Sequence, residues 1–77
     1  MGRIRYNKGS LVSTIKAACK LSKSLDEAKI VVATSLGYAI VSCCYRPLQG
    51  HYLVYPDGRV ELKDRDGTIL MERVIFD

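Results

Sequence analysis

The chain lacks most of the signatures that tie a short sequence to a chemistry. It has no glycine-rich phosphate loop, neither GxGxxG nor GxxxxGK[ST], which removes the usual nucleotide-fold reading. Its three cysteines, Cys19, Cys43 and Cys44, are odd in number and show no CxxC spacing. Adjacent Cys43 and Cys44 would point to opposite faces of a strand. A disulfide framework or a zinc site is therefore not expected, and reduced thiols are. The longest apolar stretch, 30–44, is interrupted by Thr34, Ser35, Gly37 and Ser42. It falls short of the roughly 20 residues that cross a bilayer as a helix. The first residues show neither a signal-peptide core nor a myristoylation pattern, since Tyr6 stands where that pattern requires Ser or Thr. These absences point to a soluble, cytoplasmic protein with no membrane contact.

Repeats and low-complexity stretches are also missing, so residues 1–77 read as one small domain. A chain of this size buries only about 60% of the surface its unfolded form exposes, which leaves a thin stability margin. The 48% hydrophobic and 26% charged composition is that of a folded globular chain.

Local pattern gives an α+β architecture. Gly9 and Ser10 offer an N-cap, and Leu11, Val12, Ile15, Ala18, Cys19 and Ser22 follow at helical spacing. Lys16, Lys20 and Lys23 gather on another face of that helix. The segment 25–36 carries two conflicting signals. Ser24 and Glu27 have the spacing of a capping box and Gly37 sits where a helix C′ residue would sit. Ile30, Val31, Val32 and Thr34 are β-branched and favour a strand. Because both ends carry stop signals, the segment is expected to be a second helix.

From residue 38 onward the pattern is β. Strands are expected over 38–45, 51–55, 59–63 and 68–76, forming a four-stranded antiparallel meander with one or two helices packed on it. Pro56, Asp57 and Gly58 make the clearest turn, which would pair Val54 with Val60 and Tyr52 with Leu62. A loop over 46–50 would bring Cys44 beside Tyr52 and Ser42 beside Val54. One sheet face then holds Ile40, Ser42, Cys44, Tyr52, Val54, Val60 and Leu62, the expected floor for the helices. The other holds Val41, Cys43, Tyr45, His51, Leu53, Tyr55, Arg59, Glu61 and Lys63, too apolar and aromatic for an ordinary wet face.

A catalytic reading needs a nucleophile, a base and a group that orients the base. His51, the single histidine, would lie diagonal to Cys43, with no third group behind it. Asp57, Asp64 and Asp66 fall at hairpin tips, where such residues serve the turn. No enzyme activity, cofactor or metal is expected.

Binding is the better expectation. Val41, Tyr45, His51, Leu53, Tyr55, Arg59 and Lys63 form a candidate partner-binding sheet face. A second candidate is a basic patch of Arg3, Arg5, Lys8, Lys16, Lys20 and Lys23: residues 1–29 carry seven Lys/Arg against two acids, whereas 30–77 carry five against six. The +4 net charge is modest for a dedicated nucleic-acid binder. The sequence thus suggests a non-enzymatic interaction module that docks on a protein or a protein–nucleic-acid complex, with homodimerisation hiding part of the apolar face. Regulators and inhibitors, virus-encoded ones included, are often of this kind. Nucleic-acid binding through the aromatic and basic sheet face, or through the lysines of the helix, is the alternative.

Overall fold

The computed structural model describes residues 5–7 and 9–74, the first three by backbone alone. A short strand β1 (Arg5–Asn7) precedes a helix α1 (Leu11–Leu25), and five strands follow: β2 (Lys29–Thr34), β3 (Gly37–Ser42), β4 (His51–Val54), β5 (Arg59–Lys63) and β6 (Ile69–Val74). All pair antiparallel in one sheet of order β1-β3-β2-β4-β5-β6. The α+β class holds, with one helix among the described residues and a sheet of more strands than the meander expected from sequence.

The helix begins as its sequence dictates. Ser10 is the N-cap, and its hydroxyl accepts the Ser13 amide at 3.1 Å. The helix ends at Asp26, whose φ of 54° breaks the helical run, and the Glu27 amide closes back on the Ser22 carbonyl at 3.1 Å. Small residues form its buried side: Thr14, Ala18, Cys19 and Ser22 are all essentially inaccessible. They let the helix axis sit close to the sheet, and the Ser22 hydroxyl reaches the Val54 carbonyl at 3.5 Å. Val31, Ile40, Val54 and Val60 complete this core from the sheet side, with Tyr38 and Tyr52 packed at its rim.

The second helix is overturned: the segment expected over 25–36 is strand β2 and its turn. The capping-box pair is not at a helix start, because Glu27 instead holds the buried Lys29 ammonium at 2.9 Å. Gly37 does have a positive φ, 120°, but as the residue that receives a two-residue hairpin turn from Thr34. The Thr34 hydroxyl stabilises that turn by accepting the Leu36 amide at 3.2 Å and donating to the Gly37 carbonyl at 2.6 Å. A glycine with positive φ serves a helix end and a hairpin equally, so the sequence signal was ambiguous. The β-branched run decided the outcome, because its side chains fill both sheet faces: Val31 on the helix side, Ile30 and Val32 on the other.

This strand also displaces one expected hairpin. β4 pairs with β2 and not with β3, so Lys29 lies opposite Val54 and Val31 opposite Tyr52. The pairings of Cys44 with Tyr52 and Ser42 with Val54 do not occur, and Cys44 and Ser42 are exposed. The β4–β5 register does match the turn chemistry, with Val54 opposite Val60 and Tyr52 opposite Leu62. Gly58 there has a φ of 91°, as the loop requires. No helix among the described residues is long and apolar enough to cross a membrane.

Candidate functional site

A helix is about 10–12 Å across with its side chains, and strands lie about 4.8 Å apart. One helix therefore shields two or three strands of a six-stranded sheet. α1 packs over β2, β3 and β4 and shares a core with Val60 of β5, leaving β6 bare on the same face. Beside the helix this opens an apolar groove of about 200 Å³, lined by Leu11, Val12, Ile15, Val60, Leu62 and Met71. Arg73 stands at its wall, and a contiguous apolar hollow adds Lys16. Strand β6 forms the outer lip. All six of its residues are exposed, with Ile69 at 52%, Leu70 at 60%, Met71 at 48% and Val74 at 54%. Sequence reasoning placed this strand but missed its exposure. The available signal was the mismatch between one short helix and so many strands.

The opposite face carries the sheet residues singled out from sequence. Val41 is buried there with Ile30, Val32 and Ala39, and Leu53 packs half-buried against them. At the β4–β5 end the polar residues engage one another. The Tyr55 hydroxyl donates to Glu61 Oε1 at 2.8 Å, Lys63 Nζ lies 3.8 Å from the same oxygen, and the Arg59 guanidinium covers the Tyr55 ring at 4.2 Å. Glu61 is only 5% exposed. Burial, and next the hydrogen bond to Glu61, raise the Tyr55 pKa above its ordinary 10.0. Arg59 Nε is buried with no hydrogen-bond partner among the described residues. One face of the Tyr55 ring is thus already occupied by a cation.

Further along the same face, the loop after β3 and the turn after β5 enclose a cleft of about 490 Å³. Ile30 and Leu53 contribute its apolar lining, Tyr45, Arg46 and His51 border it from the β3–β4 side, and Lys63 and Arg65 from the other. His51 Nδ1 is held 2.9 Å from the Gln49 carbonyl. Cys43 lines the cleft as well, as does exposed Cys44. Cys19 lies apart in the helix core, and all three thiols are free. Among the described residues, no three His, Cys, Asp or Glu side chains gather as a metal-binding group.

The basic patch divides. Lys16, Lys20 and Lys23 are exposed along α1. Arg5 belongs to β1, opposite Ile40, while Arg3 and Lys8 lie outside the described residues. Sequence reasoning found Tyr45, His51 and Lys63 of the cleft but not Arg46 and Arg65, because both stand in loops outside the strand alternation used to assign faces. No protein family, curated protein or solved structure matches the chain, so its surfaces alone carry the functional reading.

Proposed function

We propose that the chain is a non-enzymatic docking module that takes an extended, acidic–apolar segment of a protein partner along strand β6. The observation that carries this reading is a six-residue edge strand, exposed at every position, lying beside an apolar groove. An edge strand offers its outward amides and carbonyls to an added strand, and natural proteins normally blunt or cover such an edge. Side chains on one face of the incoming strand would enter the groove beside Met71 and Val12, replacing water on surface that α1 does not reach. Lys16 and Arg73 at the groove would receive carboxylates, and the chain's +4 charge favours an acidic partner over a second copy of itself.

The test is amide hydrogen exchange of the chain alone and with its co-purified partner, with the same capture repeated on Met71→Asp and on Leu53→Asp. The expected result is slowed exchange at residues 69–74, loss of the partner with Met71→Asp, and retention with Leu53→Asp. Retention by Met71→Asp, or protection confined to other strands, overturns the reading. Sedimentation of the chain alone should report a monomer. A dimer abolished by Met71→Asp would reassign the edge to a second copy.

A further inference from the structure

We infer that the cleft between the β3–β4 loop and the β5–β6 turn binds a nucleotide, with the phosphate on Arg46, Lys63 and Arg65 and the base against Tyr45 and His51. This site lies on the sheet face opposite the α1–β6 groove and does not depend on the docking reading. Three observations carry it.

The first is charge. Arg46, Lys63 and Arg65 line the cleft against a single acid, Asp66. Among the described residues neither Arg46 nor Arg65 has an ion-pair or hydrogen-bond partner, whereas Lys63 is paired with Glu61 at 3.8 Å. Two uncommitted guanidinium groups beside an ammonium form an anion receiver, and arginine's planar fork suits phosphate in particular. The second is shape. At about 490 Å³ the cleft falls within the range of about 300–1,000 Å³ typical of small-ligand sites. Its Ile30 and Leu53 lining is apolar, so a purely hydrated anion would leave that surface unused. The third is the pair of rings. Tyr45 is 51% exposed at the cleft. His51 is held by the Gln49 carbonyl at Nδ1, which makes Nε2 the ring nitrogen left for a ligand. Rings beside cations are how proteins hold an unstacked base with its phosphate. The Tyr55 end of the face is unsuited to the same task, because Arg59 already covers the ring.

The nucleotide can arrive free or as part of a single strand, and the test separates the two. Backbone amide shifts of the intact chain are followed during titration with inorganic phosphate, adenosine monophosphate, a uridine-rich single-stranded oligonucleotide and poly-glutamate. Shifts should concentrate in residues 43–48 and 63–67, with the nucleotide or the oligonucleotide binding at least about tenfold tighter than phosphate. Binding by both makes the free nucleotide sufficient. Binding by the oligonucleotide alone assigns the site to single strands. The Arg46→Glu/Arg65→Glu double variant should lose at least about tenfold in affinity, and its unchanged far-ultraviolet circular dichroism should confirm that these exposed positions leave the fold intact. Lys16→Glu/Lys20→Glu/Lys23→Glu should bind as the parent does. Absence of shifts in the cleft, equal affinity for inorganic phosphate or poly-glutamate, or loss of binding in the helix variant alone overturns the inference.

Discussion

Strands β2 and β6 are equal in length and nearly equal in composition, yet they have opposite fates. Each has six residues, four of them apolar: Ile30, Val31, Val32 and Ala33 in β2, and Ile69, Leu70, Met71 and Val74 in β6. The first four residues of β2 are buried, and every residue of β6 is exposed. Position in the sheet makes the difference. β2 lies between β3 and β4 under the helix, whereas β6 is paired on one side and covered by nothing among the described residues. An apolar strand at a sheet centre is core, and the same strand at an edge is a binding surface.

The largest expected effect tests this contrast directly. Val31→Asp places a carboxylate at a position 1% exposed, with no partner to receive it. At the usual 0.05–0.15 kcal/mol per residue, total stability is on the order of 4–12 kcal/mol, and this change should unfold the chain. Met71→Asp on β6 should shift stability by no more than about 0.5 kcal/mol. Urea denaturation of the two variants checks both. Similar costs at the two sites would show that β6 is as enclosed as β2.

An intermediate effect probes β5, one of the two strands between them. Glu61→Ala on β5 leaves the Tyr55 hydroxyl and the Lys63 ammonium without their shared acceptor. The expected loss is about 1–3 kcal/mol, read from the urea midpoint. The same cluster sets a pH dependence. Because the folded chain holds the Tyr55 proton more tightly than the unfolded chain does, its contribution is complete below pH 10.0 and falls away as pH rises through the elevated folded value. Ring-carbon shifts of Tyr55 should show it titrating above 10.0 in the parent and closer to 10.0 in Glu61→Gln.

A smaller effect than that of Glu61→Ala is expected in the turns that lead out of β2 and into β6. Gly67 has a φ of 86° with open space around its Cα, so Gly67→Ala costs only backbone strain, about 1 kcal/mol. Thr34→Ala removes a hydroxyl that bridges its own turn, worth about 0.5–1.5 kcal/mol. The two differ in reach. Faster amide exchange should stay within β6 for Gly67→Ala and spread through β2, β3 and β4 for Thr34→Ala.

Several elements were legible without the structure because their causes are local. Ser10 caps α1 through an amide three residues away, and Pro56, Asp57 and Gly58 fix the β4–β5 register through backbone angles that few other residues adopt. Face assignment followed from the two-residue period, which put Val54, Val60 and Tyr52 on the helix side. What failed was the segment whose local signals conflicted. A segment with four β-branched residues, Ile30, Val31, Val32 and Thr34, between a serine and a glycine fits either a short helix or a strand buried on both faces, and periodicity cannot separate them. That one error removed a strand from the sheet and brought two non-neighbours, β3 and β4, together.

The candidate surfaces divide along the same line. Local sequence was enough for the lysine face of α1, the turns at Pro56–Gly58 and Asp66–Gly67, and the alternation that sets His51, Leu53 and Lys63 on one side of the sheet, since each rests on contacts within a few residues. Long-range packing set the rest: β2 inserts between β3 and β4, Val41 becomes core, Arg46 and Arg65 line one cleft, and β6 stays bare. These outcomes depend on which distant segments share a neighbour, and on how far one helix of fixed width can reach across six strands.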